Sequence, residues 1–183
     1  VARNASGDGG AVRIAAGANA IATSSGVIDA AGENSGAEGG AVTITGGRVA
    51  LIGDALVDVS GDAGGGKTLI GGGFQGRDPG IENAQRTLIG RNAGIDADAI
   101  TSGDGGTVIV WADQDTTFNG RISARGGAIN GDGGFVETSG KNYLDVNGAY
   151  VDLRAANGKT GSWLLDPADL TISGAATTTT RTG

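Results

Sequence analysis

The sequence predicts an all-β chain: a right-handed parallel β-helix of about five to six triangular coils, each of roughly 27 residues and three short strands. Three observations carry that expectation. Glycine occurs 38 times in 183 residues, far above the usual roughly 7%. Short alternating apolar runs such as Val42-Thr43-Ile44 and Val108-Ile109-Val110 lie between the glycines, as half-buried strands require. The runs that follow Gly-Gly pairs also return at a nearly constant interval, which is the mark of a solenoid. Collagen is excluded by a proline count of two and by the lack of a Gly-X-Y period.

The register comes from those Gly-Gly pairs. Runs begin at Ala11 (AVRIAA), Ala41 (AVTITG), Lys67 (KTLIGG), Thr107 (TVIVWA) and Phe135 (FVETSG), and after a single glycine at Ser162 (SWLLDP). The intervals are 30, 26, 40, 28 and 27. The long one reads as an ordinary coil with an insertion, and FQGRDPGIENAQ at 74–85, rich in turn formers, supplies it. Each unit divides into three strands; the second reads AVTITG, RVALIGD and ALVDVSG. Alternation then places Val12, Val42, Thr68, Val108, Val136 and Trp163 in one inward column. Ile14, Ile44, Ile70, Val110, Thr138 and Leu165 form the next. Small and β-branched side chains suit a narrow interior, in keeping with only seven aromatic residues, two Trp, two Tyr and three Phe. The expected organisation is one β-helical segment over 1–172 and a Thr-rich polar tail over 173–183 whose Ala175–Thr180 stretch could add a strand to a neighbouring subunit.

Composition removes most catalytic chemistry. Without Cys or His there is no thiol nucleophile, imidazole base, Ser-His-Asp triad or Cys/His zinc site. The net charge is −7 with no basic patch, which makes nucleic acid and anionic membranes poor partners. No apolar run is long enough to span a membrane as a helix. The lack of cysteine suits a polypeptide that crosses a membrane unfolded.

Several motifs invite chemical readings. Gly61–Thr68 satisfies GxxxxGK[ST] after an apolar strand, but TLIGGGFQG cannot open the helix that a phosphate cradle needs, so a glycine-rich corner is expected. The three GDGG strings (7–10, 103–106, 131–134) suggest calcium-binding rolls but lack the second Asp of the nonapeptide, which leaves Asp-Gly turns as the better reading. The i, i+2 pairs Asp96/Asp98 and Asp113/Asp115 could serve a polysaccharide-active enzyme. Yet Trp111, Phe118 and Tyr143 are the only aromatics placed to stack on a sugar, and the chain is not expected to be an enzyme.

The candidate site is a column on the third strands. Aligning IDA, VDV, IDA, ISA and VDL sets Asp29, Asp58, Asp96, Ser123 and Asp152 at one outward position. Carboxylates one coil apart repel, so solvent, an arginine or a divalent cation such as calcium must balance them. The column is expected to be a solvated acidic ridge, with weak cation binding or partner docking through Asp29, Asp58, Asp96 and Asp152 as the functional alternative. No other cofactor is expected.

Residues 103–172 (GDGGTVIVWADQ through LLDPADLTI) and the preceding IGGGFQGRDPGIENAQRTLIGRNAGIDADAI resemble repeats of filamentous-haemagglutinin-type adhesins, the exported partners of two-partner (type V) secretion systems. The motifs are WAD at 111–113, SARGG at 123–127, GDGGFVETSGK at 131–141 and LLDP at 164–167. The likeness is strong over about 65–172 and rests on the repeat pattern before that. It implies a right-handed β-helix, export through an outer-membrane transporter, and an extracellular location at the bacterial surface. There the fibre would meet a host or neighbouring-cell receptor or glycan and serve attachment or biofilm formation. The Asn-Pro signature of the secretion domain is absent, which points to the shaft or an early repeat region. The alternative is a self-assembling matrix filament whose partners are copies of itself.

Overall fold

The computed structural model describes residues 1–166. Sixteen strands wind as a solenoid. The first coil holds β1 (Ala11–Ala15), β2 (Ile21–Ser24) and β3 (Val27–Asp29), and the second β4 (Ala41–Thr45), β5 (Arg48–Leu51) and β6 (Leu56–Asp58). The third holds β7 (Lys67–Ile70), β8 (Arg86–Ile89) and β9 (Gly94–Asp96), and the fourth β10 (Thr107–Ala112), β11 (Asp115–Phe118) and β12 (Arg121–Ser123). The fifth holds β13 (Phe135–Gly140), β14 (Tyr143–Asp145) and β15 (Tyr150–Asp152), and β16 (Ser162–Leu165) starts a sixth. Every third strand pairs in parallel, giving sheets ordered β1-β4-β7-β10-β13-β16, β2-β5-β8-β11-β14 and β3-β6-β9-β12-β15. At about 4.8 Å per coil the stack rises about 24 Å. The Thr-rich tail expected at 173–183 lies outside the described residues.

The strand starts coincide with those read from the Gly-Gly register, and the inward columns form as expected. Val12, Val42, Thr68, Val108, Val136 and Trp163 stand in register, with the four central members wholly buried. In the first and last described coils the columns have a described neighbour on one side only, and Ile14 and Leu165 are partly exposed. Trp163 closes its column by donating its indole N–H to Thr138 Oγ1 at 2.9 Å. Two of the threonines inside the coil are satisfied by bonding the next coil's corner: Thr87 donates to the Trp111 carbonyl and Thr116 to the Ser139 carbonyl, both at 2.7 Å.

The Gly-Gly pairs have a steric origin. After each third strand the chain makes an excursion that is pinched shut by a bond within the coil: Gly40 N–H donates to the Ala30 carbonyl at 2.9 Å, Gly66 to Val59 at 2.7 Å, Gly106 to Ala97 at 2.7 Å and Gly134 to Ala124 at 2.8 Å. A Cβ on the first glycine of a pair would lie less than 3.0 Å from the pinch carbonyl of the next coil (Gly39 from Val59, Gly65 from Ala97, Gly105 from Ala124, Gly133 from Leu153), and one on the second less than 3.0 Å from the equivalent glycine carbonyl one coil back. Only glycine fits either place.

Coil three departs from the plain pattern. The chain leaves the coil after Gly71, whose N–H still bonds the Ile44 carbonyl at 2.9 Å, and returns at Ala84, whose N–H bonds the Gly71 carbonyl at 2.6 Å. Residues 72–83 form a strap that includes the 3₁₀ turn Phe74–Gly76. It lies across the outer face of the first sheet and covers a second apolar cluster of Leu69, Ile109 and Trp111, flanked by Ile81 and Phe135. In the first two coils the register partners of Leu69 are Arg13 and Thr43, so this row of the first sheet turns apolar at the coils the strap lies over.

Candidate functional site

The register sets Asp29, Asp58, Asp96, Ser123 and Asp152 in one column along the third sheet. Two residues further along, a second column runs Arg3, Ala31, Ser60, Asp98, Arg125 and Arg154, aligned by the bonds from Gly32, Gly61, Ala99 and Gly126 to the next coil. Arginines neutralise most of the carboxylates in both columns. Arg3 pairs with Asp29 at 2.9 Å, Arg125 with Asp98 at 2.6 Å and Arg154 with Asp152 at 2.6 Å. Arg121 reaches Asp96 by crossing the bare backbone of Gly94, where a Cβ would crowd its guanidinium. Asp29, Asp58 and Asp152 also accept the backbone N–H two residues on, at 3.0, 2.9 and 3.2 Å, fixing the turn that follows. Instead of an open ridge the column is half-buried to buried, with Asp152 8% exposed. Among the described residues Asp58 alone of the four carries no ion pair, and no group of three or more potential metal-ligating side chains occurs.

Electrostatics follow from these contacts. The Arg154 guanidinium holds the Asp152 carboxyl below the usual carboxylate range, and Asp152 in turn raises the pKa of Arg154. Asp96 does the same for Arg121, and Asp98 for Arg125.

The other sequence candidates are occupied by structural bonds. The Asp of each GDGG clips one coil to the next: Asp8, Asp104 and Asp132 accept the backbone N–H of Glu38, Asp132 and Lys159 at 3.2, 2.7 and 2.8 Å. In the GxxxxGK[ST] stretch, Lys67 and Thr68 open a strand, and the Gly65 and Gly66 N–H groups already donate to the Asp104 and Val59 carbonyls. Asp96 and Asp98 face arginines, Asp115 pairs with Arg86 at 3.0 Å, and Asp113 accepts from the Trp111 indole and from Asn83. Of the aromatics considered for sugar stacking, Phe118 is inside the coil, Trp111 is under the strap, and Tyr143 is exposed.

One residue without a sequence-level assignment stands out. Glu137 points outward in register with Leu69 and Ile109 yet is fully buried. Both its carboxylate oxygens face the Gln75 backbone N–H, at 3.1 and 3.3 Å. Gln75 is in the left-handed region at φ 52, the only non-glycine residue so placed among those described. Burial pushes the Glu137 carboxyl up, against the opposing hydrogen bonds from Gln75 and Ser139. An edge-to-face contact between Phe74 and Phe135, centroids 5.9 Å apart, completes the clasp. The signal was a lone Glu in FVETSG at the outward slot of an apolar column.

No protein-family model matches the chain, and no curated protein does. Among solved structures it is similar to the crystal structure of the HMW1 secretion domain from Haemophilus influenzae, with a TM-score of 0.72 and 34% sequence identity over 91% of this chain and 41% of that one. The chain thus spans about two fifths of the matched structure. The sequence pointed to a shaft or early repeat region, whereas the structural match is to a secretion domain. Three parallel sheets in unbroken register and that similarity make the chain a parallel β-helix like that secretion domain, which supports the sequence's resemblance to the filamentous-haemagglutinin type.

Proposed function

We propose that the chain is a structural module of an adhesin-type protein exported by two-partner secretion, passed through a dedicated outer-membrane transporter and displayed at the bacterial surface, where it serves attachment. One observation supports this above the others: each strand pairs only with its counterparts one coil away. A coil needs nothing distant in sequence to bury its core, so a chain emerging unfolded from a pore can fold coil upon coil. Cysteine is absent, and thus no disulfide can trap the chain before transit. The engaged carboxylates described above favour a scaffold over a polysaccharide-active enzyme.

The test is export. The full-length protein, expressed in a host with and without a cognate two-partner outer-membrane transporter, should reach the medium only when the transporter is present. Deleting residues 11–166 should abolish that release or leave the product protease-sensitive. Release that is indifferent to the transporter overturns the reading. A second reading, a self-assembling filament, is favoured by the exposure of Ile21 and Val27 at the first coil. Filaments of uniform width from the purified protein would support it over a monomeric module.

A further inference from the structure

We propose that the strap over residues 72–83 is a latch pinned by Glu137, which holds in acid and loosens as the pH rises, uncovering the apolar platform of Leu69, Ile109, Trp111 and Phe135. The geometry is that of a removable cover. The strap is closed on itself at Gly71 and Ala84, so it can lift without unpairing the strands on either side. The coil beneath keeps its own ladder, because β7 stays in register with β4 and β10. Beyond its own coil the strap is held by Glu137 and the Phe74–Phe135 contact, by Asn83 donating to Asp113 at 3.0 Å and by a long 3.4 Å contact from the Gln75 side-chain amide to Asp166. Phe74 is itself half exposed.

Glu137 is an unusual pin because no cation faces it directly. The charged group that acts on it from just beyond β16 is Asp166, a like charge. Arg77 from the strap, Asp113 beyond β10 and Lys141 beyond β13 line the cleft beside Gln75, and Lys67 and Asp78 line the opposite side of the strap. A neutral carboxyl satisfies the Gln75 N–H with its carbonyl oxygen and suffers a far smaller desolvation penalty than the carboxylate. An ionised one must be held dry beside Asp166 on one backbone N–H and the Ser139 hydroxyl, with no cation to balance it. When the strap lifts, Glu137 is solvated and ionises normally. Its pKa is therefore higher in the closed state, the closure it supports is fully present below the ordinary carboxylate value, and that support fades as the pH rises through the raised value. The strap's φ-strained Gln75 gives it a reason to leave.

Amide hydrogen exchange of the purified protein tests this. After correction for intrinsic exchange, protection of the Gln75–Arg77 amides should fall at least about threefold between about pH 4.5 and about pH 8, while the β10 amides keep theirs. Glu137→Gln, which retains the acceptor without the charge, should hold the strap closed across the range. Glu137→Ala should leave it open even in acid, with Trp111 fluorescence, read in a Trp163→Phe background, shifted to the red. A wild-type strap indifferent to pH overturns the latch. So does a Gln variant with the wild-type dependence, which would assign the effect to Asp78, Asp113 or Asp166. An Ala variant as protected as wild type in acid overturns the pin.

Discussion

Ser123 donates its hydroxyl to Asp98 Oδ1 at 2.6 Å, across one coil of the solenoid. This contact explains why the acidic column of the third sheet is interrupted at its fourth member. Asp98 is 5% exposed and already takes the Arg125 N–H and guanidinium, so a carboxylate at 123 would face another at contact distance with no second cation to share. Ser123→Asp is expected to destabilise by about 2–4 kcal/mol, against about 1 kcal/mol for Ser123→Ala, which loses only the hydrogen bond. Denaturant unfolding of both variants measures the difference.

Thr68 sits between Val42 and Val108 in the innermost column, fully buried, and its Oγ1 has no partner. Thr87 and Thr116 escape that cost by bonding corner carbonyls, which Thr68 does not reach. Thr68→Val keeps the shape and removes the orphan hydroxyl, and should raise stability by about 1 kcal/mol. Thr87→Val, which deletes a satisfied hydroxyl and strands a buried carbonyl, should lower it. Parallel thermal melts decide the sign for each.

The glycine pinch separates two kinds of glycine that look alike in sequence. At Gly106 a Cβ would collide with the Gly66 carbonyl, backbone that cannot yield, whereas at Gly26 there is open space and no left-handed φ. Gly106→Ala is expected to cost more than about 3 kcal/mol or to abolish folding, and Gly26→Ala to fall within about 0.5 kcal/mol of wild type. Circular dichroism melts of the pair test the assignment of Gly-Gly to the pinch.

The coil register was legible because its cause is local and periodic: the pinch demands glycine at the same two slots in every coil, and alternation about Val108 and Val110 fixes which side faces in. The aspartate column was legible for the same reason. What balances it was not, since Arg3, Arg121, Arg125 and Arg154 reach their partners in three different ways: across one coil, over the bare Gly94 backbone, or back along their own strand end. The strap was visible as an insertion, but its clasp was not. Glu137 and Gln75 are 62 residues apart, and nothing periodic links them.

Arginine pairing makes a claim about cations. Asp29, Asp96 and Asp152 already have guanidinium partners, so millimolar calcium or a chelator should leave the melting temperature within about 1 °C. A larger rise with calcium that Asp58→Asn removes would place a cation in the column after all.

Asp152 and Glu137 should act in opposite directions as the pH changes. Arg154 lowers the pKa of Asp152 in the folded state, so the stability it lends is complete above the ordinary carboxylate value and is lost as the pH falls through the lowered one. Glu137, raised by burial, contributes fully below its ordinary value and loses that contribution as the pH rises. Melting temperatures measured from about pH 2 to about pH 8 should show a shallower acid limb for Asp152→Asn and a flatter neutral limb for Glu137→Gln. In the double variant the two changes should add, because the residues lie on different sheets and share no partner. A single-variant curve parallel to wild type would remove that residue from the account.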